Sequence, residues 1–104
     1  FVVNEMKITQ VYNYPNPFKE STNFTFNLTQ PPDDLVIRIY SIAGRLIKEI
    51  KPNPLGFGAG FNYITWDGRD EDGDLVANGV YLYRLNVIKG DKKETITEKL
   101  AVVR

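Results

Sequence analysis

Residues 66–85, WDGRDEDGDLVANGVYLYRL, decide the fold once their acids are accounted for. Asp67, Asp70, Glu71, Asp72 and Asp74 crowd into a short polar run that leads directly into alternating aromatics. Carboxylates at this density make a cation site, a catalytic cluster or a pair of polar turns. An EF-hand-type loop places oxygen ligands at its first, third and fifth positions, glycine at the sixth and glutamate at the twelfth. With Gly73 as the sixth, Asp70 and Asp72 fall correctly, but Gly68 stands first and Gly79 twelfth, so that reading fails. A looser oxygen cage of Asp67, Asp70, Asp72 and Asp74 remains open as a weak calcium site, although Arg69 beside the acids already compensates their charge. A glycosidase-like pair needs two acids facing across a cleft, one kept neutral by burial. Acids packed into one polar turn point into water instead. Asp67-Gly68 and Asp72-Gly73 are strong turn formers, through side-chain-to-backbone bonds and positive-φ glycine. On this reading the stretch is two turns joining a strand that ends at Trp66 to one that carries Tyr81. No catalytic residue, metal or cofactor is assigned.

Outward from it, apolar residues recur with period two, the signature of strands with one buried face. Phe24, Phe26 and Leu28 share one side of NFTFNLT, and Leu35, Ile37 and Ile39 one side of LVIRIYS. Ile64 and Trp66 oppose Tyr63 and Thr65; Tyr81, Tyr83, Leu85 and Val87 oppose Val80, Leu82, Arg84 and Asn86. The last strand sets Ile96, Glu98, Leu100 and Val102 against Thr95, Thr97, Lys99 and Ala101. RLIKEI reads as a looser strand, with a single helical turn as its alternative, and MKITQVYNY as the first. Gly44 in SIAGRLI can supply the positive φ of a short turn, and Asn78-Gly79 is a strong hairpin signal. KGDKK gives the last turn, and QPPDD and KPNPLGFGAG two longer connections. The expectation is an all-β immunoglobulin-like β-sandwich of about seven antiparallel strands in two sheets, with Trp66, Phe24, Phe26, Tyr81 and Tyr83 in its core.

Composition narrows function further. The 104 residues make one domain, 1–104, with residues 1–11 as a lead-in and first strand that can also link to an upstream domain. Neither cysteine nor histidine occurs, which removes disulfides, thiolate zinc sites and Ser-His or Cys-His nucleophiles. Thirteen basic and thirteen acidic residues balance, so the one-sided basic surface of a nucleic-acid binder is missing. No apolar run approaches the ~20 residues of a transmembrane helix. FVVNEMKITQ has no signal-peptide character and no initiator Met, and reads as the start of a piece of something longer.

Two smaller motifs have bland counterparts. Asn23-Phe24-Thr25 and Asn27-Leu28-Thr29 fit the N-glycosylation pattern, but Asn and Thr on an exposed sheet face account for them equally. In YNYPNPF, residues 12–18, Pro15 and Pro17 fix φ and extend Tyr14 and Asn16. Tyr12, Tyr14 and Phe18 surround this rigid element with aromatic surface, which suits either a recognition segment or a stiff corner leading into the core.

YPNPF, VIRIYSIAGRLIKEI, GFNYITWDGRDEDGDLVANGVYLYRL and KLAVVR, in this order and spacing, resemble the C-terminal immunoglobulin-like sorting domain (type A) of type IX secretion substrates. The resemblance runs from about Tyr12 to Arg104. The immunoglobulin-like module of the flagellar hook-capping protein has similar YPNPF and WDG signatures. The sequence stopping with a basic residue just after its last strand matches the sorting domains. WDGRDEDGD and ANGVYLY also resemble the C-terminal domain of the gingipain-like sortase component, so cargo and sortase both stay open.

The resemblance implies a noncatalytic signal that directs an attached protein through an outer-membrane translocon, often removed by a sortase. The implied location is secreted or cell-surface, by way of the periplasm. The implied partners are translocon and sortase proteins and an upstream cargo or catalytic domain; nucleic acid is not among them. The family positions carried over are Tyr14, Pro15, Asn16, Pro17, Phe18, Gly44, Arg45, Trp66, Asp67, Gly68, Asp70, Gly73, Gly79 and Tyr81, with Lys99, Leu100, Ala101, Val102, Val103 and Arg104. Lys19-Glu20 departs from the small residues or prolines common after YPNPF. Recognition is expected on the last strand, Lys99 to Arg104, because a strand at a sheet edge can be read by strand addition. The same edge could form a dimer. A flagellar-cap or surface-protein spacer is the alternative role.

Overall fold

The computed structural model describes residues 5–104. Seven strands form two antiparallel sheets. The three-stranded sheet has the order β1 (Ile8–Tyr14), β2 (Thr22–Leu28), β5 (Gly60–Trp66). The four-stranded sheet has the order β4 (Leu46–Ile50), β3 (Asp34–Ser41), β6 (Gly79–Lys89), β7 (Lys92–Val102). The segment expected as a loose strand or a helical turn is β4, with Ile47 turned inward and Leu46 outward. Residues 1–4 of the expected lead-in lie outside the described residues.

The period-two pattern becomes burial without exception in β2, where Thr22, Phe24, Phe26 and Leu28 are the inward set. Trp66 sits at the centre of the aromatic packing. The Phe18 ring meets it edge-on with centroids 5.6 Å apart, and Phe24 stacks at 6.3 Å. Phe24 reaches on to Tyr83 at 4.6 Å, so the two sheets interlock through rings. Such aromatic pairs contribute about 0.5–1.5 kcal/mol beyond the area they bury. Burial pushes the Tyr83 phenol well above its ordinary pKa.

The turns follow sequence chemistry with one exception. Gly44, at φ +94°, closes the β3–β4 hairpin by donating to the Ser41 carbonyl. Lys89 pairs with Lys92 across a two-residue β6–β7 turn. Asn78-Gly79 is not a hairpin turn. Among the described residues Gln10 is the one non-glycine with positive φ, so Asn78 lacks the left-handed backbone a type I′ turn requires. Gly79 instead opens β6 after the chain has crossed from one sheet to the other. The Asn78 side chain bonds the Arg104 backbone instead.

Candidate functional site: the clasp around the last strand

β7 ends the four-stranded sheet, but its final residues are not an open edge. Phe18 N donates to the Ala101 carbonyl at 3.0 Å, and Val103 N donates to the Phe18 carbonyl at 3.0 Å. This is a parallel bridge between Phe18 and Val102. One step earlier, Ala101 N donates to Asn16 Oδ1 at 3.0 Å. The corner therefore occupies the backbone positions where an incoming strand would pair at Ala101–Val103. The expectation of strand addition over Lys99–Arg104 is corrected to that extent. Thr95, Thr97 and Lys99 share the outward parity of Ala101 and form the stretch of this edge without a backbone partner among the described residues.

YNYPNPF builds the clasp. Asn16 Nδ2 donates to Asn13 Oδ1 at 3.1 Å, Asn13 Nδ2 donates to Thr22 Oγ1 at 3.2 Å, and Thr22 Oγ1 donates to the Pro15 carbonyl at 2.8 Å. Thr22 is fully buried and Asn13 nearly so, and each is satisfied within this chain of bonds. The Tyr14-Pro15 and Asn16-Pro17 peptide bonds are both cis. The aromatic residues of the segment divide: Phe18 is buried against Trp66, while Tyr12 and Tyr14 stay in solvent.

Arg104 closes the other side. Its backbone N donates to Asn78 Oδ1 at 3.0 Å, and Asn78 Nδ2 returns a bond to the Arg104 carbonyl at 3.3 Å. The guanidinium donates to the Val76 carbonyl and, at 3.4 Å, to the Gly68 carbonyl. The basic residue that follows the last strand is thus tied into the loop between β5 and β6. Beside it lies a cleft of about 470 Å³ lined by Lys19, Glu20, Asp67, Arg69, Leu75 and Arg104.

The acidic stretch is that loop. Val76 N donates to the Gly68 carbonyl at 2.9 Å and Asp70 N to the Asp74 carbonyl at 2.9 Å, with an antiparallel bridge between Arg69 and Leu75. Asp67 Oδ1 accepts from Arg69 N at 3.1 Å, and Asp70 Oδ1 accepts from both Asp72 N and Asp74 N at 3.0 Å. Asp70, two residues before the expected Asp72, is therefore the turn-forming acid of the second turn in its side-chain role. Trp66 Nε1 donates to the Arg69 carbonyl at 2.9 Å and Arg69 Nη1 to the Gly73 carbonyl at 2.8 Å. Carboxylate oxygens of Asp70, Asp72 and Asp74 lie within 4.8 Å of one another, and Asp67 is not part of that group. The four-acid calcium cage reduces to three exposed or half-exposed acids, one oxygen of which already serves two N–H groups. Gly68 and Gly73 take φ of +75° and +85°. A Cβ on Gly68 would stand 2.8 Å from Arg104 Nη2 and 3.2 Å from the Phe18 ring, so glycine here is what allows the loop and clasp to meet.

Of the remaining family positions, Arg45 follows the Gly44 turn, where its N donates to Ser41 Oγ at 3.1 Å, and Pro17 lies at the surface with Pro15. Tyr81 is buried, and its hydroxyl donates to the Ala77 carbonyl at 2.7 Å. Lys99 is exposed, and Leu100 and Val102 are core. Sequence reasoning missed Asn13, Thr22 and Asn78. Thr22 carried a usable signal, being a polar residue at the inward parity of β2; Asn78 was hidden by its hairpin-like dipeptide.

These features define an immunoglobulin-like sandwich in which the segment after β1 and the last strand are bonded together. A family model of the FlgD Ig-like domain matches residues 13–91, and the chain belongs to that family. Basal-body rod modification protein FlgD of Salmonella typhimurium is 33% identical over 70 residues, which is 67% of this chain and 29% of that protein. Among solved structures, dimeric latent PorU of Porphyromonas gingivalis superposes over 97% of this chain with a TM-score of 0.75 and 29% identity. PorZ of the same organism, an essential bacterial surface component of the type-IX secretion system, covers 90% with a TM-score of 0.56 and 26% identity. The chain spans 29% of the FlgD relative and 10% and 11% of the two solved chains.

Proposed function

We propose that this domain is a noncatalytic recognition module that directs an attached protein across the bacterial outer membrane by the type IX secretion system, to the cell surface or beyond. The observation that carries the reading is the reach of the structural likeness. The FlgD family match stops at residue 91, before β7 begins, whereas the PorU superposition takes in 97% of the chain and so must include most of β7. PorZ, with the same fold over 90% of the chain, supplies the secretion context. The partners are proteins of the export machine, and the surface they read is the clasp: Lys99–Arg104 together with Asn16–Phe18. A covalently attached upstream segment would carry the activity of the whole protein.

The second reading, a structural module in a flagellar cap, is favoured by the 33% identity to FlgD. One experiment separates them. A reporter with an inner-membrane export signal is fused ahead of this domain in a bacterium with a type IX system. The expected result is reporter at the surface or in the medium, with loss after deletion of Lys99–Arg104. Reporter retained in the periplasm with the intact domain would refute the export reading.

A further inference from the structure

The outer face of the three-stranded sheet differs in chemistry from the outer face of the four-stranded one. Register places Tyr12, Thr25 and Tyr63 side by side across β1, β2 and β5, with Tyr14, Asn23 and Thr65 in the next row. Asn27 and Phe61 pair on the other side of the central row. Tyr12, Tyr14, Phe61 and Tyr63 are 65%, 76%, 68% and 59% exposed. No charged residue stands in these rows, although 25% of the chain is charged. The outer face of the other sheet is the contrast, with Arg38, Glu49 and Arg84 across its middle. Large exposed apolar groups gathered on one face mark an interaction surface.

The polar atoms between the rings are already organised. Thr65 Oγ1 donates to Asn23 Oδ1 at 2.5 Å, and the Asn27 amide donates to Gln10 Oε1. These bonds fix both asparagines while leaving Asn23 Nδ2, Asn27 Oδ1 and Gln10 Nε2 without a partner among the described residues. Fixed neutral donors and acceptors alternate with aromatic rings, with no salt-bridging group and no aliphatic anchor. Protein interfaces gather arginine and methionine along with their aromatics. A pyranose ring asks for something else: an aromatic ring under its C–H face and amide or hydroxyl groups at its rim. Adjacent strands lie about 4.8 Å apart, which separates the Tyr12 and Tyr63 positions by roughly 10 Å, close to the length of a disaccharide unit. The clefts beside Arg104, residues 15–21 and residues 45–47 are lined by other residues, and a ligand here crosses an open face.

We infer that this face binds a neutral polysaccharide laid across β1, β2 and β5, with Tyr12 and Tyr63 as its stacking residues. Electrophoresis of the domain through gels containing hydroxyethylcellulose, glucomannan or dextran tests this. Retardation is expected in one of the two extended polymers and is insensitive to salt. Tyr12→Ala and Tyr63→Ala each weaken it about 3- to 10-fold, the loss of one aromatic contact. Tyr40→Ala, on the opposite sheet, leaves it unchanged. Migration unaffected by all three polymers overturns the inference. So does retardation that survives in the folded Tyr12→Ala/Tyr63→Ala double variant, or self-association abolished by that double variant in a protein that no polymer retards. Should the double variant lose its native circular dichroism, Thr25→Lys, which sets a charge at the centre of the face, must abolish retardation or the inference falls.

Discussion

The side-chain oxygen of Asn16 accepts the backbone N–H of Ala101 at 3.0 Å, at a position where a neighbouring strand would otherwise pair. One side-chain amide thereby links the proline corner to the final strand. Asn16→Ala removes the acceptor and also the donor to Asn13. The expected cost is about 0.5–1.5 kcal/mol, the net contribution of an ordinary hydrogen bond, because the freed N–H is exposed and can turn to water. Denaturant unfolding measures the loss, and hydrogen exchange locates it: Ala101 and Val103 should exchange faster while amides of β3 do not.

Gly68→Ala and Gly73→Ala separate backbone strain from crowding. Both glycines have positive φ, so each alanine costs roughly 1–2 kcal/mol. At Gly73 nothing stands within 4 Å of the new methyl; at Gly68 it meets the Arg104 guanidinium and the Phe18 ring. Gly68→Ala should therefore be the more destabilising in thermal melts. Combining it with Arg104→Ala should be less damaging than the sum of the two changes, since one clash is then gone.

Acid should loosen the molecule through carboxylates held below their ordinary values, Glu5 beside Lys92 and, more centrally, Asp33 and Glu49. The Gly90 N–H, donating at 2.6 Å, and then the Lys89 ammonium hold the Asp33 carboxyl below its ordinary 3.8. The Arg38 guanidinium at 2.7 Å holds Glu49 below 4.5. A carboxyl whose folded pKa is depressed stabilises the fold above its unfolded pKa, and that stabilisation is lost as pH falls through the folded value. Melting temperature should fall from those ordinary values downward. Asp33→Asn should lower it at neutral pH and make the acid limb shallower. A limb of unchanged steepness would remove Asp33 from the account.

Calcium should leave the thermal melt unchanged at millimolar concentration. Asp70 already spends one oxygen on two backbone N–H groups, and Asp72 and Asp74 are exposed. A rise of several degrees that Asp70→Asn abolishes would restore the cation reading.

The strands were legible because each buries one face, so alternation alone locates Phe24, Phe26, Ile64, Trp66 and Tyr83 inside. The Asp-Gly turns were legible for a local reason too, since their bonds run between residues close in sequence. Asn78-Gly79 was misread because a dipeptide signals a turn without revealing whether the next strand lies in the same sheet. The clasp was out of reach of local rules. It joins Phe18 to Val102 by a backbone bridge that no side-chain pattern encodes. The outer aromatic face fell between the two: Tyr63 was placed opposite the core, but only cross-strand register sets it beside Thr25 and Tyr12.

The parallel bridge between Phe18 and Val102 makes the end of β7 a composite surface. Part of its hydrogen-bonded outline comes from a segment that must first be placed by Asn13, Thr22 and the packing of Phe18 on Trp66. A chain still unfolded carries the same final residues but not the same shape. Whatever binds this surface as a whole can therefore distinguish a finished domain from an unfinished one without inspecting anything else.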